Sequence, residues 1–87
     1  MITLTLKEFK RQFENFKAQV NDGTMSQSNA EKLIDGFYIP QLDKINFINQ
    51  KQAFGVRDMA MLVALQRDVA NFRKEIFATV NTTALNA

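Results

Sequence analysis

The chain has 87 residues, room for one domain, and its 46% apolar and 23% charged side chains give the balance of a folded protein rather than a disordered one. It contains no cysteine and no histidine, which excludes a disulfide framework and a thiolate metal site and removes the commonest general base and metal ligand. Eleven basic against nine acidic residues leave a net charge of +2, too weak a field for a strong nucleic-acid binder.

The start of the chain, Met1-Ile2-Thr3-Leu4-Thr5-Leu6, lacks the positive n-region and long apolar h-region of a secretory signal. The longest purely apolar run, residues 59–65, falls far short of the roughly 20 needed to span a bilayer. The expectation is a cytoplasmic chain that does not enter membranes.

A first helix is predicted over residues 5–22. Thr5 and Glu8 have the T-x-x-E spacing of a capping box, flanked by Leu4 and Phe9 at staple positions. Leu6, Phe9, Phe13, Phe16 and Val20 then recur in steps of 3 and 4, a stripe suited to packing on another helix. Asn21-Asp22-Gly23 ends it, with glycine available for a left-handed conformation.

For the second helix Thr24, Ser26 and Ser28 compete as N-caps, and Ser28 has Glu31 at capping-box distance. Ala30, Leu33, Ile34, Phe37 and Tyr38 supply an apolar face, continued by Leu42, Ile45 and Ile48. Pro40 cannot donate to the carbonyl of residue 36, and its ring crowds that carbonyl. Either a kink forms between Gly36 and Pro40, or the helix stops at Tyr38 and restarts with Pro40 in its first turn.

The segment 49–55, which includes Gly55, reads as a turn, with a helix continuous through it as the alternative. A third helix is predicted over residues 56–80, with Leu62, Leu65, Val69, Phe72 and Ile76 again in steps of 3 and 4. Residues 81–87 read as a frayed polar tail. The predicted fold is all-α: a single domain over residues 1–80 forming a small antiparallel three-helix bundle, or a hairpin completed by dimerisation.

Four features bear on function. The run 59–65 is hydrophobic all round, and a second row on helix 3 comprises Met59, Val63, Ala70 and Phe77. That row either touches the other helices or forms a partner-binding face. Arg67, Arg73 and Lys74 lie late in the helix, where they complement its dipole or meet a partner with an acidic surface. Phe47, off the Ile45/Ile48 row, and Phe54 in the turn are candidate anchors, and the candidate partner-binding set is Phe54, Met59, Val63, Arg67, Arg73, Lys74 and Phe77. Lys7, Lys10, Arg11 and Lys17 on helix 1 form a candidate phosphate-contacting face, with Glu8 and Glu14 among them to blunt its potential.

No glycine-rich phosphate loop, calcium loop or nucleophile elbow is present, and the carboxylates are scattered singly. No catalytic residue, metal or cofactor is expected. The leading expectation is a non-enzymatic protein-binding module such as an inhibitor, antitoxin, immunity-type factor or phage accessory protein. Two alternatives stand beside it: a subunit that self-assembles through helix 3, as a homodimer for example, and a weak nucleic-acid binder.

Overall fold

The computed structural model of the chain describes the backbone of residues 2–86 and the side chains of residues 5–78. Every regular element among them is helical, so the protein is all-α. Helix α1 spans Ile2–Asn21, α2 is a continuous helical stretch over residues 27–52, and α3 spans Val56–Asn86. The turn predicted over 49–55 is confined to residues 53–55, because residues 49–52 continue helix α2.

Helix α1 begins at Ile2, three residues ahead of the predicted cap, which places Thr5 inside the helix rather than before it. Glu8 correspondingly turns forward: its carboxylate accepts from the side chains of Arg11 and Gln12. At the other end Gly23 takes φ +82°, and the Met25 N–H reaches back to the Gln19 carbonyl at 3.1 Å. A side-chain oxygen of Asp22 accepts from the Thr24 N–H at 2.8 Å, which tightens the same turn. Of the three candidate N-caps, Ser26 serves: its hydroxyl accepts from the Asn29 N–H at 3.2 Å.

The second helix does not stop at Tyr38 and restart. It is α-helical over Gln27–Leu33, π-helical over Ile34–Tyr38 and α-helical again over Ile39–Gln52, where Pro40 sits in the first turn. The Ile39 N–H donates to the Ile34 carbonyl, five residues back. A wider turn opens the hydrogen-bond ladder where Pro40 has no N–H to give, so the ring is accommodated without a break. It also serves the core. Ala30, Ile34, Tyr38 and Leu42 are all buried at steps of four, which in an α-helix would drift by about 40° each. A slower-winding π turn takes up part of that drift. The consequence is that Leu33 and Phe37, predicted on the apolar face, are turned outward at 36% and 44% exposure.

One core holds the helices together. From α1 it takes Leu6, Phe9, Phe13 and Phe16, and from α3 all five residues of the predicted stripe, Leu62, Leu65, Val69, Phe72 and Ile76. Phe13 is fully buried and meets Phe72 edge-on, with ring centroids 5.9 Å apart. Tyr38 lies 4.7 Å from Phe16 and donates a long 3.4 Å hydrogen bond to the Gln12 carbonyl, so its hydroxyl is partnered. Met59 and Phe77 pack partly against this core, as does Phe54 from the turn.

Helix α3 is the element the other two share. Lys17 of α1 pairs with Asp68 at 2.6 Å, and Arg73 pairs with Asp35 of α2 at 2.7 Å. The Gln27 side chain donates to the Ile76 carbonyl at 2.6 Å. Along α2 and α3 these contacts run in opposite chain order. The backbone of α3 continues to Asn86, past the predicted end at residue 80; the frayed tail expected over 81–87 falls beyond the described side chains.

Candidate interaction face

Three cations pair with carboxylates among the described residues: Arg11, Lys17 and Arg73. Arg11 pairs with Glu8, and its hydrogen bonds, with those of Gln12, hold the Glu8 carboxyl below its ordinary value. Lys17 both pairs with Asp68 and stands 5.2 Å from the centre of the Phe13 ring. Of the four predicted phosphate-contacting residues, Arg11 and Lys17 are thus matched by carboxylates of the chain itself, while Lys7 and Lys10 point into solvent. Among the described residues no cluster of three or more metal-ligating side chains occurs. No described helix is long and apolar enough to cross a membrane.

The predicted partner-binding residues separate into two groups. Arg73 is tied: its guanidinium meets Asp35 at 2.7 and 3.3 Å and lies 4.4 Å over the Phe77 ring. The bond to Asp35 raises its pKa further, as expected of a charge-assisted pair. Phe54, Met59 and Phe77 are half-buried against the core. Val63, by contrast, is 44% exposed. Arg67 and Lys74 are exposed and form no ion pair among the described residues.

Val56 and Ala60, outside the predicted residues, and Ala70, of the predicted second row, join the open group. Val56 is 88% exposed, and Ala60 and Ala70 also face solvent. Together Val56, Ala60, Val63, Arg67, Ala70 and Lys74 advance in steps of 4, 3, 4, 3 and 4, so they lie along one side of α3. The outer side of this helix therefore repeats the spacing of its core stripe. A signal for it was present in the sequence, but small alanines and interleaved cations made it a weak one.

Each helix junction carries a groove of different character. Between α1 and α3 it is polar, lined by Lys17, Asn21, Asp68 and Asn71. Between α1 and α2 it has Phe9, Phe37 and Ile45 beside Glu8 and Gln12. Between α2 and α3 it is lined by Ile39, Leu42, Val69 and Ala70, with the charged Asp43 and Lys74 among its lining. Only this last groove borders the unpaired Lys74 and the exposed stripe of α3. Phe47, 58% exposed with the Lys51 ammonium 5.3 Å from its ring centre, is a further outward aromatic of α2.

No protein-family model, curated protein or solved structure matches this chain.

Proposed function

We propose that this chain is a non-enzymatic protein-binding module that works in the cytoplasm, of the kind that inhibitors, antitoxins, immunity factors and phage accessory proteins use. In this reading the three helices form an antiparallel bundle, a rigid platform whose core side is spent on folding and whose outer side is available to a partner. The observation that carries the reading is the exposed apolar row on α3, Val56, Ala60, Val63 and Ala70, beside the unpaired cations Arg67 and Lys74. An exposed apolar row interspersed with cations suits a contact surface.

The test is capture from host cells on immobilised wild-type chain, run in parallel with Val63→Asp. Because Val63 is half-exposed, the variant is expected to keep the helical circular-dichroism spectrum and lose the captured partner. Recovery of the same proteins with both chains would count against the module reading.

Self-assembly through α3 is the second reading, favoured by the same exposure of Val63 and Ala70. It requires a mass above that of one chain in light scattering, and a monomer removes it. Nucleic-acid binding has less support, since Arg11 and Lys17 already face Glu8 and Asp68. It would appear as duplex-DNA binding that collapses between low and moderate salt.

A further inference from the structure

We infer that the outer stripe of α3 is the seat for one acidic amphipathic helix of a partner protein. The inference rests on the protein-binding reading and makes it specific. From Val56 to Lys74 the stripe covers about 27 Å at 1.5 Å per residue, five turns of helix. Its spacing of 3 and 4 is that of a helix prepared to receive the side chains of another helix. Ala60, Val63 and Ala70 are small, so they leave room for larger apolar residues on the occupant.

Charge decides what that occupant is. Arg67 and Lys74 are seven residues apart, about 10.5 Å along the axis, and neither has a carboxylate partner among the described residues. Asp43, which lines the same groove as Lys74, forms no ion pair with it. A second copy of this chain fits poorly. Parallel pairing would set Arg67 on Arg67 and Lys74 on Lys74. Antiparallel pairing that matches Val63 to Ala70 would bring the two Arg67 side chains together at the axis. Like charges facing each other across a contact oppose it. A helix with large apolar residues at 3–4 spacing and carboxylates seven residues apart satisfies both the apolar and the charged positions.

The experiment is an anisotropy titration of the full chain with two labelled synthetic helices of about 21 residues, three heptads. Both carry leucine at 3–4 spacing; one has glutamate at the flanking positions seven apart, the other lysine. The glutamate peptide is expected to bind at least about tenfold more tightly. The double variant Arg67→Glu/Lys74→Glu should reverse that preference, and Arg67→Gln/Lys74→Gln should abolish it. Lys44→Glu, an exposed charge change on α2, should leave it as it was. Equal binding of the two peptides would overturn the inference, as would a preference that the double variant does not move. So would a dimer in light scattering that Val63→Asp dissociates, because the stripe would then belong to a second copy. Host-cell capture separates the two readings. Partners retained by the double variant, with no peptide preference, would leave the module reading standing and remove this seat. Failure of the wild-type chain to capture any partner would remove the module reading and, with it, this seat.

Discussion

At Ala53 the backbone turns with φ +48°, the one non-glycine residue with positive φ among the described residues. Asn49 holds it there from both ends: its carbonyl accepts from the Ala53 N–H at 2.8 Å and its side chain from the Phe54 N–H at 3.0 Å. A left-handed conformation costs an L-residue about 1–2 kcal/mol, and glycine avoids that cost. Ala53→Gly is therefore expected to stabilise the fold by about 0.5–1 kcal/mol after glycine's extra chain entropy is subtracted. A thermal melt checks it, and a lower Tm would contradict the account. Tyr38 gives a prediction in pH. Burial raises its pKa, because the tyrosinate loses hydration in the core. The folded state thus favours the neutral phenol. That contribution is complete below the ordinary value of about 10 and is lost as pH rises through the higher folded value. Circular dichroism and tyrosinate absorbance followed together should show helix loss accompanying ionisation. Tyr38→Phe, which removes the chain's one tyrosine, should raise the alkaline midpoint of helix loss, and an unaltered midpoint would argue against the coupling.

Helix α2 shows how an element absorbs conflicting demands. Gly36 lies within the π turn, and a Cβ added there meets nothing within 4 Å. Its helix-weakening effect is therefore not needed for space, and Gly36→Ala is expected to raise stability by up to about 1 kcal/mol in a denaturant titration. A destabilised variant would show that the turn depends on glycine's freedom. The inner and outer faces of the helices respond in opposite ways to substitution. Phe13 is fully buried among Phe9, Phe16, Tyr38 and Phe72. Phe13→Ala should cost about 3–5 kcal/mol, comparable with the whole stability of a small domain. Val63→Asp should alter stability by no more than about 0.5 kcal/mol, since the side chain is 44% exposed. Equal losses from the two would mean that α3 buries its outer side as well.

The whole molecule measures 48 × 22 × 18 Å, and its long axis matches the 31 residues of α3, about 46 Å of helix. The last helix is the spine on which α1 and α2 pack, and its outer stripe runs beside that seam. The ion pairs that join α3 to its neighbours, Lys17–Asp68 and Arg73–Asp35, are partly exposed, so each contributes only about 0–1 kcal/mol. Raising the salt concentration should therefore leave Tm nearly unchanged while weakening capture of an acidic partner by Arg67 and Lys74. A Tm that fell steeply with salt would assign those pairs a larger part in the fold.

The all-α class, the buried stripes of the first and third helices and the glycine turn at residue 23 were legible in the sequence, because spacing along a helix and left-handed glycine are local properties. The same local signals misplaced the start of α1 and the outward Leu33 and Phe37. Tertiary packing decided those. Whether Pro40 breaks a helix or is absorbed by a π turn depends on what the flanking residues must reach in the core. Partners 51 and 38 residues distant, as for Lys17 and Arg73, depend on the rotation of one helix against another. The meshing of Phe13, Phe16, Tyr38 and Phe72 sets that rotation, and with it which cations are matched within the chain and which stay open on α3.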